Sequence, residues 1–488
     1  MDRLIKRWKH QRQTHNRKYS NNSHIVNRTQ PDTNFITEPS KQIPILDNCD
    51  VLVVGGGPSG ISAAISAKRA LGENGKVILM ERYGCFGGTI TTVGMETLGW
   101  YRYEGTTDVQ GIGIEMERIA EQMGGTTKWH YNESLCLDAD YFKIVADHLI
   151  ESSGVIPLLH CYATEVVIQN GNITAVITES KSGRQAIITK SVIDCTGDAD
   201  IAYLSKCKMV KYSKEDLMGV TTVFSVAGVN KDKFLDHVDD KPKFYKNWNS
   251  ASSNELWKQI TTDKEDDLKT PYLSTEFRKA KEDGVIEDNS NLGGSWSALS
   301  DAGEATNLNI VHIKGIDGTN VKDLTKAEMA GRKESLNAIM ALKHTLPGFE
   351  NAKLRNFGMT LGVRDTRKII GKYNLTGEDV VSEAKFEDSI GIFPEFLDGY
   401  NVLVLPTTGR YFQVPLGCCL PESGPTNLLV AGRSVAGDRL SHTAMRNMMA
   451  CCVTGQGAGV AAAIQIVKGT YSIPDIQNEL QKQGVKIS

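Results

Sequence analysis

Residues 50–60 read DVLVVGGGPSG, and this stretch decides the fold. It opens with a short apolar run that is typical of a buried parallel strand. A glycine-rich turn follows, and residues 61–71 then show the apolar periodicity of a helix. A second apolar run, residues 76–80, ends at Glu81. The order strand, turn, helix, strand predicts one βαβ unit.

The glycines of this turn have the spacing of a dinucleotide-binding site. Gly55 permits a tight turn out of the strand, Gly57 lets the backbone approach a pyrophosphate, and Gly60 allows close packing of helix on strand. Pro58 and Ser59 stand at the start of the helix. Unpaired N–H groups and the positive dipole end at that point attract a diphosphate.

Glu81 closes the second strand about twenty residues after the last glycine, where a carboxylate accepts hydrogen bonds from ribose hydroxyls. The same charge would repel a 2′-phosphate, so NADP is disfavoured at this site. Arg82, the next residue, belongs to the predicted cofactor site as well.

Three later glycine turns follow in order along the chain. Residues 86–89 read FGGT, residues 193–198 read IDCTGD, and residues 427–433 read NLLVAGR, with Asp438 beyond them. Two adjacent glycines in the first of these let a longer cofactor run along the loop. Each turn alone could be an ordinary connection, but their order favours FAD over NAD.

The rest of the chain divides by pattern. Short β-type runs fill residues 154–194 and predict a β-meander with a hairpin turn at residues 170–172. Together with the βαβ unit they predict an α/β fold: a Rossmann-like FAD-binding domain with a central parallel sheet, interrupted by an inserted α+β cap or substrate domain. The predicted boundaries are a disordered basic N-terminal extension (1–48), the first part of the FAD-binding domain (49–215), the insertion (216–395), the second part of the FAD-binding domain (396–470) and a C-terminal helix (471–488).

Composition restricts the partners. The chain has 488 residues, 40% apolar and 23% charged, with a net charge of −3, as in an ordinary soluble globular protein. We therefore expect neither membrane nor nucleic acid as a partner. The basic stretch at residues 3–18 is compatible with a solvated tail, an organelle presequence or contact with RNA. A cytoplasmic location is predicted, with organelle targeting as the alternative.

The ten cysteines form no Cys-x-x-Cys motif, and no metal site is predicted. Vicinal pairs occur at Cys418–Cys419 and Cys451–Cys452. They are interpreted as small buried thiols in a reducing compartment.

The chain resembles the FAD-dependent oxidoreductases of the glutathione reductase-like superfamily. Within it, the nearest likeness is to the family related to the succinate dehydrogenase and fumarate reductase flavoproteins. The resemblance covers roughly residues 50–470 and is carried by these segments: VLVVGGGPSGISAAISA, ERYGCFGGTIT, VIDCTGDAD, LGVRDTRKIIGKYNLTGEDV and NLLVAGRSVAGDRLSHTAMRNMMACCVTGQGAGVAAA.

The resemblance implies FAD as the cofactor and a role for each matching residue. The implied contacts are the pyrophosphate at Gly55, Gly57 and Gly60, the adenosine ribose at Glu81, the diphosphate toward the flavin at Gly87, Gly88 and Thr89, the adenosine side at Gly197 and Asp198, and the ribityl and phosphate region at Gly432, Arg433 and Asp438. The run Gly455-x-Gly457-x-Gly459 resembles the closing helix of this fold.

Two patterns are missing from the sequence. Residues 89–93 contain no redox cysteine pair, and Cys85 precedes the glycines. No second Gly-x-Gly-x-x-Gly motif follows a mid-chain strand. The electron donor is therefore expected to be the substrate itself, a loosely bound nicotinamide, or a separate protein donor or acceptor.

Candidate catalytic residues are cations and proton carriers that could face the flavin. Reduction places negative charge on the N1–O2 edge of the flavin, which Arg364, Arg367 or Arg433 could stabilise. For the first two the alternative is a surface ion-pair network bridged by Asp365.

Residues 441–446 read SHTAMR and resemble the His-Gly-Ala-Asn-Arg segment of the fumarate reductase group. This resemblance implies Arg446 as an anion clamp and His442 as a proton carrier, although Thr443 and Met445 depart from the pattern. His312, within the insertion, is a further candidate acid or base. A structural histidine is the alternative in both cases.

The predicted function is hydride transfer between flavin N5 and a small organic substrate, which could be anionic. Three alternatives stay open: a flavin-dependent tRNA-modifying enzyme, a non-enzymatic FAD-binding sensor or electron-transfer protein, and thiol–disulfide exchange through the vicinal cysteines.

Overall fold

The computed structural model describes residues 23–26, 36–98, 109–128, 135–239, 258–260, 273–295, 298–400, 402–404 and 409–488. The strands, in chain order, are β1 (Ser23–Val26), β2 (Ile45–Val54), β3 (Val77–Met80), β4 (Thr126–Lys128), β5 (Leu135–Leu137), β6 (Ile156–Leu158), β7 (Tyr162–Gln169), β8 (Asn172–Ser180), β9 (Gly183–Asp194), β10 (Met209–Tyr212), β11 (Val220–Ala227), β12 (Lys258–Ile260), β13 (Leu292–Ser295), β14 (Ala298–Leu299), β15 (Glu304–Ile313), β16 (Lys353–Phe357), β17 (Lys368–Ile369), β18 (Ser389–Pro394), β19 (Leu397–Gly399), β20 (Val402–Val404), β21 (Tyr411–Pro415) and β22 (Leu428–Val430).

The helices are α1 (Pro58–Leu71), α2 (Ile112–Gln122), α3 (Ala139–Ser153), α4 (Asp200–Leu204), α5 (Lys231–Asp239), α6 (Ser274–Glu282), α7 (Val321–Thr345), α8 (Gly377–Val381), α9 (Arg439–Met445), α10 (Met448–Lys468) and α11 (Ile473–Lys482). A short π-helical turn spans Thr89–Val93, and a 3-10 turn spans Leu416–Cys419.

The largest sheet has the predicted composition. Its order is β6-β3-β2-β9-β8-β7, with β22 beside β9. The pairs β6–β3, β3–β2, β2–β9 and β9–β22 are parallel, whereas β7, β8 and β9 form an antiparallel meander. Residues Val51 to Val54 of β2 are buried, because a parallel strand is covered on both faces. The predicted α/β Rossmann-like fold is confirmed.

Helix α10 packs against α1 through small residues, as its glycine run predicts. A Cβ at Gly455 would lie 2.1 Å from the carbonyl oxygen of Ser59, and one at Gly459 would lie 2.3 Å from that of Ala63. The two helix backbones are therefore in direct contact. By length and hydropathy α10 could cross a membrane, but 78% of its most apolar window is buried inside the protein.

The insertion has a core of its own. Strands β13, β15, β11 and β16 form one sheet in that order, and β14 pairs with β15. Helix α7 contacts this sheet. The buried apolar residues of this core run from Phe224 to Ala352 and include Phe234, Phe277 and Phe349.

The predicted end of the insertion at residue 395 needs correction. Ile369, Leu375, Ile390 and Phe393 all pack in the core of the FAD-binding domain. Strand β18, which carries the last two, pairs with β21 beyond the predicted boundary. Apolar residues look alike in sequence whichever core they enter, so the pattern could not show this return.

The N-terminal extension also differs from its prediction as a disordered tail. Strand β1 pairs antiparallel with β10, which in turn pairs with β17. Strand β2 already begins at Ile45, where it pairs with β9. The prediction for residues 1–22 and 27–35 lies outside the described residues. The polar average composition concealed one short edge strand, β1, and the first residues of the central strand β2.

Candidate functional site

The turn after β2 has the geometry that its glycine spacing requires. Gly55 has φ +105°, and a Cβ there would lie 2.4 Å from the carbonyl oxygen of Cys195. A Cβ at Gly60 would lie 1.8 Å from the carbonyl oxygen of Gly55. Gly57 is the N-cap of α1 and offers no side-chain cap, Pro58 opens the helix, and its first turn has no acidic residue. The positive end of α1 is thus ready for an anion.

A second glycine turn faces the first. Gly88 has φ +52°, and a Cβ there would lie 2.6 Å from Gly57 Cα. Gly87 donates its N–H to the carbonyl oxygen of Gly56 at 2.8 Å. Thr89 then begins the π-helical turn. The two turns are therefore in backbone contact. The surface that they form at the start of α1, the glycine groove, is where a diphosphate would bind.

A cleft of about 370 Å³ opens at the carboxyl ends of β2 and β3. Ligands of open α/β sheets bind at this edge. Glu81 and Arg82 line the cleft as predicted, and the remaining wall comes from Val54, Gly55, Met80, Cys161, Tyr162, Ala163, Thr196 and Asp200. Glu81 accepts the N–H of Gly56 at 2.7 Å and that of Tyr83 at 3.0 Å. The cleft shares Gly55 with the first glycine turn, and the resemblance places the adenosine half of FAD on this side.

Asp200 was not predicted from the sequence. Burial and the charge of Asp198 raise its pKa to about 7. Arg367 forms an ion pair with Asp200, donates its Nε–H to the carbonyl oxygen of Asp198 at 2.8 Å and stacks over the Tyr203 ring. Arg367 therefore lies beside Asp198 and Asp200 at the sheet edge, and its proposed orientation toward the flavin stays a prediction.

Gly197, Asp198 and Arg433 lie together, although the sequence assigns them to different parts of FAD. Arg433 donates from Nη2 to Asp198 Oδ1 at 2.7 Å, beside Gly197. Burial opposes ionisation of Asp198, but Arg433 and Thr366 nevertheless hold its pKa below the usual value. The Nε of Arg433 is buried, and within the described part of the chain no acceptor reaches it. Such an orphaned donor fits a phosphate or another anion.

Gly432 and Asp438 differ in their contacts. Gly432 has φ +83°, and a Cβ there would lie 2.8 Å from Ser59 Oγ, so the end of β22 touches the start of α1. Asp438 instead caps α9: it accepts the N–H of Ser441 at 2.8 Å and that of Gly377 at 3.1 Å. Its carboxylate is engaged by backbone N–H groups, and its place beside the ribityl chain stays a prediction.

Three of the predicted catalytic residues come together. His442 Nε2 lies 3.0 Å from the carbonyl oxygen of Arg364. Because a carbonyl can only accept, Nε2 carries the hydrogen. Burial and the charge of Lys368 lower the pKa of His442 to about 3, so the ring is neutral. Arg364 donates from Nη2 to Asn309 Oδ1 on β15 at 3.0 Å and so joins α9 to the cap sheet.

His312 lies on the face of the cap sheet that turns toward the FAD-binding domain. It pairs with Thr221 across β15 and β11. The neighbouring Thr222 faces α7, since a Cβ at Gly331 would come within 1.8 Å of its Oγ1. Successive strand residues alternate in direction, so Thr221 and His312 point the other way. Burial and the charge of Arg364 lower the pKa of His312 to about 3.

This face stands over the π-helical turn. A Cβ at Gly94 would lie 3.8 Å from Val223 Cγ1, on the same side of β11 as Thr221. Thr360, just after β16, donates its N–H to the carbonyl oxygen of Thr92 at 3.0 Å. The cap sheet therefore closes directly over the turn that continues the dinucleotide groove.

Arg446 lies between α9 and α10 and is partly engaged. Its Nη2 pairs with Asp398 Oδ2 at 3.0 Å, whereas its Nε is buried and lacks an acceptor among the described residues. The surface network bridged by Asp365 does not form. Asp365 is fully buried and binds Lys368 and Tyr400 instead.

The cysteines agree with their interpretation as buried thiols. All ten are free and buried. Burial raises the pKa of Cys451 and of Cys452 to about 12. The Sγ atoms of Cys418 and Cys419 lie 4.0 Å apart. Over the described ranges, no group of three metal-ligating side chains occurs.

These features define a flavin-dependent oxidoreductase: a glycine groove, an adenosine cleft at the sheet edge and a cap sheet above them. The family model for FAD dependent oxidoreductases matches residues 50–483, and the chain belongs to this family. It is thus an enzyme whose cofactor is FAD. No curated protein sequence is significantly similar to it.

Solved structures with a similar chain trace include a reductase-like protein, a monooxygenase and an oxidase. A geranylgeranyl bacteriochlorophyll reductase-like protein from Thermoplasma acidophilum has 13% identity and a TM-score of 0.46 over 89% of this chain and 83% of its own. The p-nitrophenol 4-monooxygenase PnpA from Pseudomonas putida has 9% identity and a TM-score of 0.44, over 90% and 85%. Glycine oxidase from Geobacillus kaustophilus has 11% identity and a TM-score of 0.43, over 87% and 95%.

Proposed function

We propose that this enzyme moves a hydride between flavin N5 and a small anionic organic substrate held under the cap sheet. One observation carries the proposal: His312, Asn309 and Arg364 are gathered on the sheet face above the π-helical turn. Arg364 is tied from there to His442 in the FAD-binding domain. A charged and a neutral polar group thus converge where a substrate would meet the flavin.

The substrate is anionic in this proposal because of Arg364. A guanidinium keeps its charge at any working pH and offers paired N–H donors that match a carboxylate. Asn309 Oδ1 accepts one N–H of this guanidinium and orients it. The likeness of residues 441–446 to the fumarate reductase segment agrees with an anionic substrate. We therefore also propose that this enzyme is related to the succinate dehydrogenase and fumarate reductase flavoproteins.

FAD, when bound, supplies the hydride acceptor or donor. The protein residues orient the substrate and manage its proton. Burial, and after it the charge of Arg364, lower the pKa of His312 and keep the ring neutral. An anion bound to Arg364 would offset that charge and raise the proton affinity of the imidazole. Substrate binding would therefore prepare His312 to accept a proton from a substrate hydroxyl or amine.

The test is an anaerobic titration of the FAD-loaded enzyme with small hydroxy, amino and unsaturated carboxylates, followed at about 450 nm, where oxidised flavins absorb. A substrate deuterated at the reacting carbon should slow flavin bleaching. Arg364→Gln should raise the KM for that carboxylate at least about tenfold, the loss of one charge-assisted contact.

Arg355→Gln is the matched control, since Arg355 pairs with Glu304 at the exposed edge of the cap sheet. The proposal fails if no carboxylate bleaches the flavin. It also fails if substrate deuteration leaves the bleaching rate unchanged under conditions in which the chemical step limits that rate. Bleaching by neutral compounds alone would overturn its anionic part.

We also propose a cytoplasmic location and a separate electron donor or acceptor that regenerates the flavin. Ten free, buried thiols agree with a reducing compartment. Removal of a presequence longer than about 26 residues would take away β1, which pairs with β10. The N-terminal mass of the protein purified from its native cells decides between this location and organelle targeting.

A further inference from the structure

The structure buries a charged cluster that the proposed reaction does not use directly. The side chain of Asp365 is 0% exposed and that of Lys368 is 1% exposed. One carboxylate oxygen of Asp365 pairs with Lys368 Nζ, and the other accepts the hydroxyl of Tyr400. His442 Nε2 lies 3.5 Å from the first of these oxygens. A buried ion pair seldom adds net stability, because desolvation opposes the attraction.

The cluster joins three parts of the chain. Asp365 and Lys368 lie on the segment that returns from the cap to the FAD-binding domain, and Lys368 begins β17. Tyr400 lies between β19 and β20 and has φ +49°. His442 lies on α9. The Lys368 ammonium also stands 5.4 Å from the centre of the Tyr212 ring, on the strand that leads out to the cap.

Arg364 immediately precedes Asp365 and is fixed from both ends. Its carbonyl oxygen accepts the Nε2–H of His442, and its guanidinium donates to Asn309. The carboxylate of Asp365 favours the hydrogen on Nε2, since that nitrogen is the one it faces. Nδ1 of His442 then holds a lone pair, and it is buried with no hydrogen-bond partner in the described part of the chain.

We propose that Asp365 is a positioning residue: through the tautomer of His442 and the adjoining backbone it fixes Arg364 over the flavin, and Lys368 keeps Asp365 ionised in the interior. This inference rests on the proposed role of Arg364 in binding an anionic substrate. It predicts that removal of both charges leaves the fold intact but disturbs the position of Arg364.

The decisive variant replaces both charges by apolar side chains of similar size, D365L/K368M. We expect its FAD content to match that of the wild type and its thermal midpoint to fall by only about 2–4 °C, because the two charges are removed together and the Tyr400 hydroxyl alone loses its acceptor. We expect kcat/KM for the carboxylate substrate to fall about 10²-fold, the effect of a misplaced binding group. Most of the loss should appear as a higher KM, because the substrate-binding arginine is displaced. A general loosening of the fold would lower kcat as well.

A second measurement needs no substrate. In ¹⁵N-histidine spectra of the FAD-loaded enzyme, the His442 signal, assigned with His442→Gln, should show the Nε2–H tautomer. In D365L/K368M it should become a mixture of tautomers. An unchanged tautomer together with unchanged kcat/KM would overturn the inference. A third outcome separates the two proposals: the tautomer changes in D365L/K368M, but no carboxylate reduces the wild-type flavin. Asp365 would then keep its positioning role, and the proposed function would be rejected.

If D365L/K368M fails to bind FAD, Lys368→Met decides alone. Although burial opposes ionisation, Lys368 and His442 hold the pKa of Asp365 at about 2 in the wild type. Without the ammonium that pKa should rise, so the acid limb of kcat/KM should move up by at least about one pH unit. An acid limb that stays in place would refute the role of Lys368 and with it the inference.

Discussion

Replacement of Gly57 by alanine separates the cofactor groove from the stability of the fold. Gly57 has φ −75° and ψ −173°, a conformation that alanine adopts without strain. A Cβ there would lie 3.7 Å from Gly88 Cα, which is ordinary contact. The apoprotein should therefore unfold at the wild-type temperature. The methyl group would nevertheless stand between the two glycine turns, where we expect the diphosphate.

The magnitude follows from the contacts at the start of α1. If the methyl group displaces the diphosphate from two backbone N–H donors, about 3–6 kcal/mol of charge-assisted hydrogen bonding is lost. That corresponds to an increase in the Kd for FAD of about 10²- to 10⁴-fold. Titration of apoprotein with FAD, followed by flavin fluorescence, measures this change. Thermal unfolding of the same apoprotein, followed by circular dichroism, measures the stability.

Gly60→Ala is the matched comparison. A Cβ at Gly60 would lie 1.8 Å from the carbonyl oxygen of Gly55, so this variant should lose apoprotein stability as well as FAD affinity. Wild-type FAD affinity in Gly57→Ala would refute the assignment of the groove to the diphosphate. A Gly57→Ala apoprotein as unstable as Gly60→Ala would refute the packing argument.

The other predictions concern three separate features. Arg433→Met should weaken FAD binding about tenfold through one lost charged hydrogen bond, whereas Arg184→Met, on the exposed meander hairpin, should not. A chain without residues 1–30 lacks β1 and should melt about 2–4 °C lower, whereas a chain without residues 1–22 should melt as the full chain does. Burial raises the pKa of Glu96 to about 7. Glu96 should therefore contribute a fall in stability of about 3 kcal/mol as pH rises from about 4 to 7. Glu96→Gln should remove that contribution in urea unfolding, whereas those of Glu117 and Glu395, whose pKa burial also raises to about 7, stay.

The cofactor half of the site could be predicted because it is local in sequence. The requirements on Gly55, Gly57 and Gly60 come from a single strand, turn and helix, and each requirement excludes a side chain. Glu81 follows at the end of the next strand. Such short-range steric rules survive in the sequence whatever the rest of the chain does.

The contacts that join the two domains could not be predicted in the same way. Arg364 meets Asn309 and His442, which lie 55 and 78 residues away. The sequence is compatible with a surface ion-pair network around Asp365, because charged residues are usually exposed. The fold instead buries Asp365 together with Lys368. Nothing in the local pattern of residues 362–370 distinguishes a buried ion pair from a solvated one.

The return segment explains why the candidate substrate arginine and the cap are linked. Strand β10 leads out to the cap and β17 leads back, and the two pair with each other. Arg364 stands just before β17, with its carbonyl held by α9 and its guanidinium held by the cap strand β15. Arg364 is therefore held by both domains at once. An anion bound to its guanidinium would lie at the boundary between the cap and the FAD-binding domain, which is where a substrate would meet both.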